Sequence, residues 1–142
     1  MSDIHFGPYV HWPQLAQPGE DTDPALLASL FRELRTVAPK PAVVFIPGDF
    51  LAHGLPPSLA GIVMVDLARR FDALYPHAQF AITLGNNDSD CGDYARPSGA
   101  FIDTVARAWA PLVERGGRAP DFVAQFERDG AYAARLPVPH LR

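Results

Sequence analysis

The stretch Phe80-Ala81-Ile82-Thr83-Leu84-Gly85-Asn86-Asn87-Asp88 decides the fold prediction for the whole chain. Its first five residues are mostly apolar and β-prone, which predicts a strand. A glycine and three short polar side chains then end that strand, because Asn and Asp side chains compete for backbone hydrogen bonds and favour turns. A buried strand that ends in such a turn places polar side chains at the carboxyl end of a sheet, where open α/β folds bind their ligands.

Two other stretches of the chain have the same form. The apolar run Val43-Val44-Phe45-Ile46-Pro47 leads into Gly48-Asp49, and the chain opens with Ser2-Asp3-Ile4-His5. The first of these runs is apolar on both faces, as expected for a strand in the centre of a parallel sheet. Helical patterns separate the strands, so the sequence predicts an α/β fold with a mainly parallel sheet and flanking helices. We therefore expect the three turns to lie together.

Apolar residues at helical spacing predict four helices, and cap signals mark where three of them begin. Thr22 or Asp23 is the predicted cap of the first helix, Ser58 of the second and Ser98 of the third. Pro111 lies within the third predicted helix and is expected to kink or divide it. The fourth helix is predicted at residues 120–128, and the strands at residues 42–46, 79–84 and 130–138.

Length and composition indicate one globular domain over residues 1–142, with 48% hydrophobic and 20% charged residues. The net charge of -4 gives no support to a nucleic-acid surface, which is usually basic. A single cysteine, Cys91, excludes a disulfide within the chain and a cysteine-rich zinc site. No apolar run approaches the length of a membrane span, and no signal peptide is predicted before Ser2.

The three turns supply side chains that suit divalent metal ions, namely Asp3, His5, Asp49 and Asn86, with His53 close by. Asp3 and His5 are two residues apart, so an extended backbone would point both side chains the same way. Mixed carboxylate, imidazole and amide donors favour a hydrolase with two ions roughly 3.5–4 Å apart over a closed structural zinc site. Each turn taken alone is more often a helix cap or an Asx-turn. Three such turns in this order favour a metal site.

The same residues resemble the motifs of a known family. Asp3-Ile4-His5, Gly48-Asp49 and Gly85-Asn86-Asn87-Asp88 are similar to the successive Asp-x-His, Gly-Asp and Gly-Asn-His-Asp/Glu motifs of calcineurin-like metallophosphoesterases. The stretch Gly48–His53 further resembles the acid sphingomyelinase-like branch, in which Ala-His follows Gly-Asp. The resemblance covers essentially the whole chain. It implies a partial metallophosphoesterase fold, half of an α/β/β/α sandwich.

The resemblance also implies a role for each matched residue. Asp3 and His5 correspond to ligands of a first metal ion, Asp49 to a carboxylate that bridges two ions, and Asn86 to a ligand of the second. The two divalent ions, zinc, manganese or iron, would hold a hydroxide that attacks phosphorus. His53 corresponds to a histidine near the leaving group and would protonate the departing oxygen.

The sequence departs from the family pattern in two places. Asn87 occupies the position of the family's histidine, and an amide can donate a hydrogen bond but cannot transfer a proton. Asp88 would orient Asn87. The C-terminal histidine ligands of the family have no counterpart after residue 94, where the remaining histidine is His140. With no apolar strand before Asp3 either, the sequence predicts a truncated, N-terminal half of the domain with a partly occupied metal site.

Three functions follow as alternatives. The first is metal-dependent hydrolysis of a phosphoester or phosphodiester substrate, similar to that of sphingomyelin phosphodiesterases. The second is a non-catalytic fragment or truncated paralogue that keeps part of the metal site. The third is a structural or partner-binding module. A sheet cut through its centre also predicts exposed strand edges and self-association. The resemblance implies a periplasmic or secreted location for a full-length protein.

Overall fold

A two-stranded parallel sheet forms the centre of the fold. A computed structural model describes residues 3–8 and 19–137 of the chain. Strand β1 (Val43–Ile46) pairs with β2 (Gln79–Ile82) in a register that places Val43 beside Gln79 and Ile46 beside Ile82. A helix connects the two strands, as a parallel pair requires. The predicted α/β class, with a parallel sheet and flanking helices, is confirmed.

In the part of the chain that the structure describes, four α-helices flank the sheet, and caps explain where two of them begin. Asp23 caps the first helix and accepts a hydrogen bond from Leu26 N at 2.7 Å. Ser98 caps the third helix and accepts from Phe101 N at 3.1 Å. None of the helices in the described residues is long and apolar enough to cross a membrane. The helices are α1 (Pro24–Val37), α2 (Pro57–Leu74), α3 (Gly99–Val113) and α4 (Phe122–Asp129).

An aromatic cluster fills the core between the sheet and helices α2 and α3. Trp109 of α3 is fully buried and packs against Phe50, Phe71 and Phe80, with ring centroids 5.2–6.3 Å apart. Tilted and edge-to-face contacts of this kind stabilise a core beyond the area they bury. Since Phe50 directly follows Gly48-Asp49, the cluster holds that turn against the rest of the molecule.

Several local predictions are wrong. Pro56, not Ser58, is the cap residue of α2, and no side chain caps this helix start. Residues 131–136 are not a strand, and Val138 lies outside the described residues. Helix α3 continues through Pro111 and ends two residues later, so this proline does not divide the helix.

Strand β1 differs from the buried central strand that its apolar sequence predicts. Ile46 is fully buried, whereas 54% of Phe45 is exposed. Neighbouring residues of a strand point to opposite faces, so one face of β1 lies on the core and the other is partly open to solvent. An apolar run thus indicates where a strand lies but not how many of its faces the chain covers.

Candidate metal centre

Three segments converge on the candidate site. Backbone hydrogen bonds join the first to the second: His5 N donates to Asp49 O at 2.9 Å and Phe6 N donates to Phe50 O at 2.7 Å. Phe6 also forms isolated parallel bridges with Leu51 and with Thr22. The third segment is the turn after β2, which is adjacent to the turn after β1 because the two strands are parallel and in register.

Asp3, His5 and Asp49 lie close enough together to hold one ion. One ligand atom from each side chain falls within 4.8 Å of the other two. Asp3 is exposed, whereas His5 and Asp49 are half-buried, so an ion could enter from the side of Asp3. Two carboxylates and an imidazole match the donors that zinc, manganese and iron accept. The residues present therefore fit a divalent metal ion.

The backbone at these positions adopts the left-handed conformation. Asp3, His5 and Asp49 have φ angles of 54°, 43° and 54°, and three of the four non-glycine residues with positive φ in the described chain belong to this site. The predicted extended backbone at Asp3 and His5 is therefore wrong, although the two side chains do lie together. Left-handed residues of this type cost roughly 1–3 kcal/mol each and cluster at functional sites.

Two glycines allow the turns after β1 and β2 to approach each other. Gly48 has a φ of 105°, and a Cβ added there would overlap the backbone of Gly85. A Cβ added at Gly85 would overlap the carboxylate and the backbone nitrogen of Asp49. The glycine before each polar residue is therefore a steric requirement of the site, since any side chain would push Asp49 away from the turn that contains Asn86.

The side chain of Asp88 is buried and connects the same two turns through hydrogen bonds. Its Oδ1 accepts hydrogen bonds from Phe50 N at 2.8 Å and Leu51 N at 3.1 Å, and its Oδ2 accepts from Gly85 N at 2.8 Å. Burial raises the pKa of Asp88, and nearby Asp49 adds to this, whereas the three N–H groups act in the opposite direction. All three of these contacts of the Asp88 side chain are to backbone groups, on Gly85 and on Phe50-Leu51.

Asn86 and Asn87 point in different directions. Asn86 is exposed, and its Nδ2 donates to Asp93 Oδ1 at 2.8 Å. That contact leaves the amide oxygen of Asn86 as the group that could bind an ion. Asn87 is buried: its backbone N donates to Asp49 Oδ1 at 3.1 Å, and its side-chain amide lies 3.0 Å from His5 Nδ1.

His5 is oriented by the loop after β1 as well as by Asn87. Its Nδ1 lies 3.2 Å from the carbonyl oxygen of Leu51. The Leu51 carbonyl calls for a hydrogen on Nδ1, whereas the amide nitrogen of Asn87, 3.0 Å away, is itself a donor and calls for a lone pair there, so the two contacts orient the ring without selecting a tautomer. These contacts hold the imidazole of His5 in place within reach of Asp3 and Asp49.

His53 lies beside this cluster, next to a residue that the sequence interpretation did not single out. Asp21 Oδ1 is 2.8 Å from His53 Nδ1, and Asp21 Oδ2 accepts a hydrogen bond from His53 N at 2.9 Å. The imidazole of His53 stacks on that of His5, with centroids 4.5 Å apart and 12° between the planes. Asp21 and His53 are 32 positions apart, so no local spacing signals their contact.

Two comparisons bear on this arrangement. A family model described as calcineurin-like phosphoesterase matches residues 1–132. A protein of Dictyostelium discoideum named "Sphingomyelinase phosphodiesterase D" is 35% identical over 81 residues. That alignment covers 53% of this chain and 18% of the relative, so the match spans less than a fifth of the relative's length.

Proposed function

The chain belongs to the calcineurin-like phosphoesterase family, and on that premise we propose that it hydrolyses a phosphodiester at the cluster of Asp3, His5 and Asp49. The convergence of these three donors within 4.8 Å is the observation that carries the proposal. A phosphodiester of the sphingomyelin type is the favoured substrate, since the relative from Dictyostelium discoideum is named as a sphingomyelinase.

We assign the donors to two divalent ions. Asp3 and His5 would bind the first ion, Asp49 would contact both through its two oxygens, and Asn86 would bind the second through Oδ1. When bound, such ions lower the pKa of water and neutralise charge on the phosphoryl oxygens. Zinc, manganese and iron all suit this mixed donor set.

His53 is the proposed proton donor to the leaving oxygen. Its side chain is 62% exposed and can reach a bound substrate, whereas Asn87 is buried and its amide is engaged with His5. Asn87 and Asp88 then serve the site indirectly. Asn87 contacts His5 and Asp49, and Asp88 holds the backbone of both turns.

The test is hydrolysis of bis-(p-nitrophenyl) phosphate by the purified chain with manganese or zinc. We expect turnover that is lost in Asp49→Ala and kept in Asp66→Ala, which removes an acid from the exposed face of α2. Turnover equal to that of Asp49→Ala would reject the proposal. It would favour the alternative, in which the chain binds an ion without catalysis.

Calorimetric titration with manganese measures how many ions the chain binds. It therefore shows whether a chain without turnover still binds metal. Two ions per chain would support the dinuclear assignment, and one ion would support binding by Asp3, His5 and Asp49 alone. We expect Asn86→Ala to remove one ion and Asp49→Ala to weaken both.

A further inference from the structure

We propose that Asp21 is a positioning residue for His53, whose imidazole it holds in one orientation and in the tautomer that carries hydrogen on Nδ1. The inference rests on the proposed role of His53 as proton donor. Nothing in the family motifs of this chain includes Asp21, which lies in the loop before α1. The assignment comes from the contacts of its carboxylate.

Both oxygens of Asp21 contact His53, one at the backbone and one at the ring. Oδ2 accepts from His53 N at 2.9 Å, and Oδ1 lies 2.8 Å from Nδ1. An ionised carboxylate has no hydrogen to donate, so Nδ1 must carry one. The contact to the backbone holds the carboxylate of Asp21 beside His53, and the contact to Nδ1 then limits the rotation of the imidazole.

The surroundings of Asp21 make it a rigid support. Its side chain is 17% exposed, against 62% for that of His53. The next residue, Thr22, is paired with the first segment: Thr22 N donates to His5 O at 2.8 Å, and Gly7 N donates to Thr22 O at 3.0 Å. The residue after that, Asp23, caps α1. Asp21 is therefore fixed from its C-terminal side by a bridge and a helix start.

The ring of His5 completes the support on one face of His53. The two imidazoles are nearly parallel, with centroids 4.5 Å apart. With Nδ1 directed at Asp21 and one face covered, Nε2 is the nitrogen left to meet a substrate. During leaving-group departure the Nε2–H bond of the imidazolium breaks and an O–H bond forms on the leaving oxygen. His53 ends neutral, still donating from Nδ1 to Asp21, and regains its proton from water.

Kinetics with two leaving groups test the role of Asp21. Diphenyl phosphate releases a basic phenolate that needs a proton, whereas bis-(p-nitrophenyl) phosphate releases a phenolate that needs none. For Asp21→Asn we expect kcat for diphenyl phosphate to fall roughly 10- to 100-fold, part of the contribution of about 10²- to 10⁴-fold that a positioned proton donor makes. We expect little change in KM and little change with the nitrophenyl ester. Asp21→Glu keeps a carboxylate and should recover part of the loss.

Nuclear magnetic resonance gives a readout that does not depend on turnover. The nitrogen and proton shifts of the neutral His53 imidazole should show hydrogen on Nδ1 in the wild-type chain. In Asp21→Ala we expect a shift towards hydrogen on Nε2, whereas Asp66→Ala should leave the spectrum of His53 unchanged. His53→Gln identifies the resonances.

The outcomes separate this inference from the proposed function. If the wild-type chain shows no turnover, the proposed function is rejected. The magnetic resonance measurement of the His53 tautomer does not need turnover and still tests the role of Asp21. Equal losses with both esters in Asp21→Asn, or an unchanged tautomer in Asp21→Ala, would overturn the inference. Loss of a bound manganese ion in Asp21→Asn would overturn it too, because Asp21 would then be a ligand together with His5 and His53, whose donor atoms lie within 4.8 Å.

Discussion

At Asp88, one buried carboxylate accepts three backbone hydrogen bonds and joins the turn after β1 to the turn after β2. In Asp88→Asn an NH2 group replaces one carboxylate oxygen. This NH2 group donates hydrogen and would face a backbone N–H group that also donates. We expect a loss of about 1–3 kcal/mol in the free energy of unfolding, the usual cost of a buried group left without its partner. Urea denaturation measures it, with Asp66→Asn as the exposed control. Equal stability of the two variants would show that the turns do not depend on Asp88.

Asp90 predicts a dependence of stability on pH. Desolvation raises the pKa of Asp90, but hydrogen bonds from Ser98 Oγ and Ser98 N outweigh it and leave the pKa below 3.8. A carboxyl whose pKa falls on folding adds stability above its unfolded pKa and loses it as the pH falls through the folded value. The wild-type chain should therefore be more stable than Asp90→Asn at pH 6, and the difference should shrink below about pH 4. A constant difference in denaturation experiments from pH 6 to pH 3 would contradict this.

The residues of the site differ in how far the sequence could predict their positions. Asp49 and Asn86 each follow a glycine at the end of an apolar run, so local pattern alone indicates that they lie at the edge of the sheet. Asp21 gives no such signal, because its contact with His53 depends on the path of a loop. Asn87 stands at the position of the family's histidine, and its burial against His5 depends on tertiary packing that the motif does not show.

At the scale of elements, Tyr132 takes the place of a third strand. Its hydroxyl accepts a hydrogen bond from Ile82 N at 2.8 Å and donates one to Ile82 O at 3.1 Å. Tyr132→Phe leaves both backbone groups of β2 without this partner, and we expect it to cost about 1–3 kcal/mol of unfolding free energy. The ring contacts with Phe122 and Phe126 should remain. Tyr94→Phe, at an exposed tyrosine, is the matched control.

That contact explains why the strand predicted at residues 130–138 is wrong. Apolar residues there fit a β pattern, and they do lie beside β2, where Tyr132, Ala134 and Leu136 face Phe45 and Ile82 across a groove. The side chain of Tyr132 contacts the backbone of β2 in place of a strand ladder. An apolar pattern predicts that a segment packs on the sheet, but it cannot show whether backbone or side-chain groups form the hydrogen bonds with the neighbouring strand. The starts of α1 and α3 were predictable, because a cap and its partner lie three residues apart.

At the scale of the molecule, the open face of the sheet predicts self-association. In the described residues the sheet has two strands, and 54% of Phe45 on β1 is exposed. An apolar side chain exposed on a sheet promotes contacts between chains. We expect sedimentation velocity to show a mass that rises with concentration, and Phe45→Lys to reduce that rise. Tyr94→Lys alters an exposed aromatic residue on a loop and should have no effect. A wild-type monomer at every concentration would contradict the prediction.

Metal binding should stabilise the whole molecule, because the candidate ligands come from three segments that are far apart in sequence. An ion that binds only the folded chain adds about 2.7 kcal/mol at a concentration 100 times its Kd. For a chain of 142 residues this corresponds to a rise in Tm of roughly 5–10 °C. Manganese should produce this rise in the wild-type chain and in Asp66→Asn, and a chelator should reverse it.

Asp49→Asn distinguishes binding at this site from binding elsewhere. Asp49 lies within reach of Asp3 and His5, so its charge should contribute to the affinity for a bound ion. Asp49 Oδ1 accepts a hydrogen bond from Asn87 N, so the substitution also changes the Tm of the metal-free chain. The quantity to compare is therefore the rise in Tm that manganese causes in each chain. We expect that shift to fall by more than half. An equal shift in the variant and the wild-type chain would place the stabilising ion away from the three turns, and the polar residues after β1 and β2 would then be turn residues only.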